Sequence, residues 1–201
     1  MNFKFDFIAL CSCLSVASLS HAECVTAADM ANGIIVKLDD GSTEHHRTKR
    51  PDLVEVIWTP AEEDPSSILY GKGIYLLQMV SVIDGVTDVS SRVTIGYDKS
   101  VADLVVLPSN GQLTEQTFKY SPYTGFVRET ITYMFSDPAE IQVAGCTYLA
   151  QLINVIAVED STTFEQNIVY VPSLGTSFIT SYRSDNEEFY DINIQSITAA
   201  E

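Results

Sequence analysis

From Gly33 onward, apolar residues recur at every second position or in short unbroken runs, with turn residues between the runs. That is the periodicity of strands, whose side chains alternate between two faces. Ile34–Leu38 reads as a strand, Asp39-Asp40-Gly41 as a turn and Thr43–Lys49 as a polar return strand. Leu53–Thr59 places Val54, Val56 and Trp58 on one face, and Glu62-Glu63-Asp64-Pro65 follows as a charged loop. Gly73–Ile83 is apolar on both faces, as a central strand is. Ile83-Asp84-Gly85-Val86 is a hairpin turn, and Val89–Tyr97 returns from it.

The second half continues in the same way. Asp98–Asn110 is irregular and closes on Pro108-Ser109-Asn110-Gly111. Gln112–Tyr120 carries Gln116, Phe118 and Tyr120 on one face, and Ser121–Gly125 turns the chain. Phe126–Phe135 turns Ile131, Tyr133 and Phe135 inward and Arg128, Thr130 and Thr132 outward. Ile141–Val158 also has Leu149, Leu152, Ile153 and Ile156 at helical spacing. Its Ile and Val content favours one long strand, broken or bulged near Gly145. Thr162–Val171, Thr176–Tyr182 and Glu188–Ile197 complete the series, the last with Tyr190, Ile192 and Ile194 inward.

One helix is expected. Thr26-Ala27-Ala28-Asp29 resembles an N-cap with an acidic partner three positions on, Ala27–Asn32 is its body, and Gly33 ends it. The fold class is therefore all-β: an antiparallel meander of about ten strands with one short N-terminal helix. So wide a sheet twists. The expectation is a half-barrel or barrel, with a sandwich as the other way to bury the apolar faces.

The N-terminus reads differently. Met1–Phe7 carries Lys4, Ile8–Leu19 is mostly apolar or small, and Ser20-His21-Ala22 offers small residues around a cleavage site. This is the plan of a secretory signal peptide over residues 1–22, too short for a membrane span, followed by a single β-rich domain over 23–201. Lipid attachment at Cys13 is an alternative. The expected location is periplasmic or secreted, and no integral membrane segment is expected in the mature chain.

Cleavage removes Cys11 and Cys13 and leaves Cys24 and Cys146, which an oxidising compartment would join. It also removes Lys4 and Asp6 together, so the net charge stays at −16. A surface of that sign repels nucleic acid and anionic lipid.

Candidate chemistry is sparse. His45 and His46 are adjacent, so in a strand they point to opposite faces and do not share a metal. Arg47, Lys49 and Arg50 form a basic spot, either a contact for an anionic partner or the solvated face of an edge strand. The acidic runs at 39–40 and 62–64 lack calcium-loop spacing. Neither a Gly-x-Ser-x-Gly elbow nor a phosphate loop is present. No catalytic residue, cofactor or metal is expected; the alternatives to a non-enzymatic exported binding protein are a structural or interaction β-domain with a filled core and a hydrolase whose site has no recognisable motif. In a curled sheet, one apolar face would either line a cavity for an apolar ligand or fill an ordinary core.

Near the C-terminus, Tyr170-Val171-Pro172-Ser173-Leu174-Gly175 leads into a strand, a charged hairpin and Tyr190–Ile197. With the export signal and the meander, this resembles uncharacterised periplasmic proteins of Gram-negative bacteria and, more loosely, the lipoprotein-carrier half-barrels. The resemblance implies a curved sheet around a hydrophobic centre and carriage of a lipid or lipoprotein. The carriers pack helices into the concave face, whereas a single short helix is expected here. The resemblance brings no functional residue with it.

Overall fold

The computed structural model describes residues 24–201; the leader expected over residues 1–22 lies outside the described residues. The first strands are β1 (Ile34–Leu38), β2 (Thr43–Arg50), β3 (Leu53–Thr59), β4 (Ser66–Gly71) and β5 (Tyr75–Ile83). Next come β6 (Val86–Thr87), β7 (Val93–Tyr97), β8 (Gly111–Ser121), β9 (Gly125–Phe135) and β10 (Ala139–Val143). The chain ends with β11 (Cys146–Glu159), β12 (Thr162–Val171), β13 (Thr176–Ser184), β14 (Tyr190–Asp191) and β15 (Ile194–Ala199).

Among the described residues all fifteen strands belong to one sheet, in the order β14-β13-β12-β11-β9-β8-β7-β5-β4-β3-β2-β1-β15, with β10 added to β11 and β6 to β5. The hydrogen-bonded order is open, because its ends, β14 and β15, do not pair with each other. They are successive pieces of one segment. Tyr190 and Asp191 pair with β13, and Ile194–Ala199 pair with β1. Between them Ile192 donates to the Thr180 carbonyl, and Asn193 accepts from the Asp39 amide.

Several expectations change. Fifteen strands replace about ten, partly because Ser66–Gly71 is a strand of its own. Ile141–Val158 is a hairpin: Ala144 and Gly145 both take positive φ, which turns the chain between β10 and β11. The N-terminal helix shrinks to a 3-10 turn at Asp29–Ala31, although its acidic partner works as read, Asp29 accepting from the Thr26 amide at 2.7 Å. Val89–Ser91 is likewise a 3-10 turn, with the return strand beginning at Val93. The predicted alternation in Phe126–Phe135 and the Asp84-Gly85 turn are found as read.

Two buried clusters form the core. One gathers Ile34, Val36, Val54 and Val56 from the first strands with Val171, Leu174 and Phe178; the other gathers Tyr75, Ile95, Ile131, Tyr133 and Ile153 with Ile168 and Tyr170. The β12–β13 hairpin end supplies both. Its odd residues Val169 and Val171 enter the first cluster, and its even residues Ile168 and Tyr170 enter the second.

This hairpin end presses on the turn between β4 and β5. A Cβ on Gly73 would stand 2.1 Å from the Gly175 carbonyl oxygen, and Gly73 has φ +72. Gly85 has a similar φ of +76 but open space around it. Gly73→Ala should therefore lower stability by more than Gly85→Ala, which carries only the backbone cost of about 1 kcal/mol. Urea denaturation of the two variants measures the difference, and equal losses would remove the close-approach argument.

Cys24 and Cys146 are bridged, with Cα atoms 5.7 Å apart and a sequence separation of 122. The bridge ties the N-terminal segment to the start of β11, where Tyr148 also donates to the Val25 carbonyl. Closing so long a loop stabilises by about 4–5 kcal/mol in the chain-entropy view. Reduction without denaturant should lower the melting temperature by several degrees, read by circular dichroism.

Candidate functional site

The inner face of β2–β5 faces part of β12–β13, and between them lies a cavity of about 390 Å³. Register fixes its wall. Glu44 opposes Trp58, and His46 opposes Val56, which opposes Ile68. Across the gap stand Phe164, Ile168, Ile179 and Tyr182. A register shift between Asn167 and Ile168 keeps Ile179 and Tyr182 on the same face, although they are three positions apart.

The cavity has a floor and a rim. His46, Val56, Ile74 and Ile168 are buried, whereas Asp40, Met79, Phe164, Tyr182 and Tyr190 are exposed. The rim aromatics touch one another, with Tyr182 centred 6.2 Å from Phe164 and 5.4 Å from Tyr190. Tyr70 projects into the wall. Burial raises its phenol pKa well above the ordinary value, and the negative charge of Glu44 adds to the effect. Other hollows are more open to solvent, among them a groove between β10 and Asp191–Ile194.

His46 is 1% exposed and has a partner on each ring nitrogen. Nε2 lies 2.7 Å from Glu44 Oε2, and Nδ1 lies 2.9 Å from Thr176 Oγ1. An ionised carboxylate only accepts, so Nε2–H donates to Glu44, and in the neutral imidazole Nδ1 then accepts the Thr176 hydroxyl. The order acid–imidazole–hydroxyl is that of a proton relay, but Thr176 is 1% exposed and is absent from the cavity wall. Ser177 does reach the wall, and its hydroxyl donates to the Gly73 carbonyl at 2.6 Å. Both hydroxyls thus tie the β12–β13 hairpin to its neighbours. Sequence spacing hid the His46–Thr176 pair, because 130 residues separate the two.

His45 points to the other side of the strand, over Gly33. Among the described residues no group of three or more His, Cys, Asp and Glu is placed to hold a metal. Arg47 and Lys49 both reach Glu55, at 2.6 and 3.2 Å. Burial alone would raise the Glu55 pKa, but hydrogen bonds and charge from the two cations bring it below the ordinary value. Arg50 stays exposed. β1 pairs β2 only through Thr43–His46, so Arg47, Lys49 and Arg50 lie on the stretch of β2 that β3 alone pairs.

No family model matches the chain, and no curated protein matches it. Among solved structures it is similar to the hypothetical lipoprotein YmcC from Escherichia coli (K12), with 12% sequence identity and a TM-score of 0.43, over 89% of this chain and 88% of that one.

Thr176→Val keeps the side-chain shape and removes the hydroxyl that His46 Nδ1 accepts. An orphaned buried acceptor costs about 1–3 kcal/mol. Thr176→Val should lose stability in that range in urea, and a loss near zero would mean that the pair contributes nothing.

Proposed function

We propose that this chain is an exported, non-enzymatic envelope protein that binds an apolar or lipidic small molecule in the cavity between β2–β5 and β12–β13. The observation that carries this reading is the cavity itself. It is open at one rim and walled by Val56, Ile68, Leu76, Ile168 and Ile179. Its volume of about 390 Å³ falls within the roughly 300–1,000 Å³ usual for small-molecule sites. The disulfide supports export, because such bridges persist in oxidising compartments. Among the described residues no helix is long and apolar enough to cross a membrane.

A second reading is an interaction domain, favoured by the β8–β9 hairpin. There Tyr123 and Phe126 are 81% and 80% exposed beside Tyr120 and Phe118. Solvent-facing aromatics grouped at one hairpin end are typical of contact surfaces.

The two readings part in one experiment. Ile179 faces the cavity from β13, and Ile179→Trp would fill it. Trp58, the chain's one tryptophan, stands in the cavity wall and reports occupancy by its fluorescence. Dodecyl maltoside titrated into the unsubstituted chain below its micelle concentration should shift Trp58 emission saturably. In a Trp58→Phe/Ile179→Trp form, native mass spectrometry should show the one-to-one complex lost. No complex with the unsubstituted chain would leave the interaction reading.

A further inference from the structure

We infer that the occupant of this cavity is an amphiphile with a cationic head group, held at the rim by carboxylates and aromatic rings. The inference deepens the binding reading above and rests on it. Asp40, Glu44, Trp58, Phe164, Tyr182 and Tyr190 contribute to the wall, and no lysine or arginine does so among the described residues.

Strand alternation produces this sorting of charge. On β2, Glu44 and His46 share the inner face, whereas Arg47 falls on the outer face opposite Glu55. On β13, Tyr182 faces inward, and the neighbouring Arg183 pairs with Glu165 on the opposite face. Lys37 of β1 points outward between the inward Val36 and Leu38. The cations near the cavity are thus turned away from it by the period of two. His46 offers no free ring nitrogen to a ligand, because its Nε2 and Nδ1 are engaged by Glu44 and Thr176.

Neither carboxylate is paired with a lysine or arginine among the described residues. Asp40 accepts from the Ser42 amide and hydroxyl at 2.8 and 2.6 Å, which fixes the β1–β2 turn. Glu44 accepts from His46 through Oε2, and Oε1 has no side-chain donor among the described residues. Aromatic rings attract cations through their negative faces, and rings grouped with carboxylates recognise quaternary ammonium groups. An anionic head would meet Asp40 and Glu44 without a compensating cation. The apolar floor takes the tail, and the rim takes the positive end.

Trp58 fluorescence supplies the test on the intact mature chain. Dodecyltrimethylammonium, dodecyl maltoside and dodecanoate share one tail length and differ in head charge; each is titrated below its micelle concentration. The cationic compound should bind one-to-one and about tenfold or more tighter than dodecanoate. In Asp40→Asn/Glu44→Gln that preference should fall to about threefold or less. The charge-matched control Asp98→Asn/Glu140→Gln, both exposed and away from the cavity, should keep it. Equal binding of all three compounds, or tighter dodecanoate, overturns the inference while leaving the apolar-ligand reading intact. A preference lost equally in the control pair also overturns it, as general attraction to an acidic surface. If none of the three binds, the binding reading itself fails. The ranking in the unsubstituted chain decides the matter even where the double variant does not fold.

Discussion

The structure depends on burying one hairpin end on both of its faces. A strand in an antiparallel sheet ordinarily turns one face to a core and one to solvent. At Ile168–Val171 both faces are occupied, and the two clusters meet on opposite sides of the same four residues. Backbone polar groups there are satisfied by β11 and β13. The side-chain polar groups are satisfied by contacts made for the purpose: Thr176 with His46, and Ser177 with Gly73. A buried hydroxyl without a partner would cost more than the bond contributes, so these ties fix where the hairpin enters.

The cavity follows from that entry. The hairpin end is buried. The face that carries Val171 and Phe178 is filled by the first cluster. On its other face Ile168 and Ile179 meet Trp58, Tyr70 and Tyr190 around a space that side chains leave open. The second core is packed differently, by an aromatic group of Tyr75, Tyr97 and Tyr133 whose rings meet edge to face. Glu129 lies in the same region, and its pKa is raised because burial disfavours its charge.

Much of this was legible along the chain, and the misses have physical causes. Strand alternation in Phe126–Phe135 showed the inward face correctly, because each inward residue packs on one core. Ile141–Val158 misled because both of its strands are rich in apolar residues, and only Ala144-Gly145 marks the turn. Ser66–Gly71 was missed because a Ser-Ser start and a tyrosine-glycine end give little alternation, and its inner residues Ile68 and Tyr70 are only partly buried. The adjacent histidines were correctly assigned to opposite faces. Their partners could not be read, since pairing of residue 46 with residue 176 is set by the fold. The carboxylates of the rim were visible only as part of a uniformly acidic sequence, and became distinct once Arg47 and Arg183 were seen to face outward.

The segment Tyr190–Ala199 gives the molecule an order of assembly. Ile34 pairs with Ala199, so the first strand of the sheet has its second neighbour only once Ile194–Ala199 is docked. Until then β1 and β13 are bare edges, and bare edges pair readily with other chains. Contacts so distant in sequence also form slowly. Tyr190–Ala199 is thus a clasp laid over both edges, with Tyr190 and Asp191 on part of β13 and Ile194–Ala199 on β1, so that two short pieces of one segment stand where two strands would otherwise be bare.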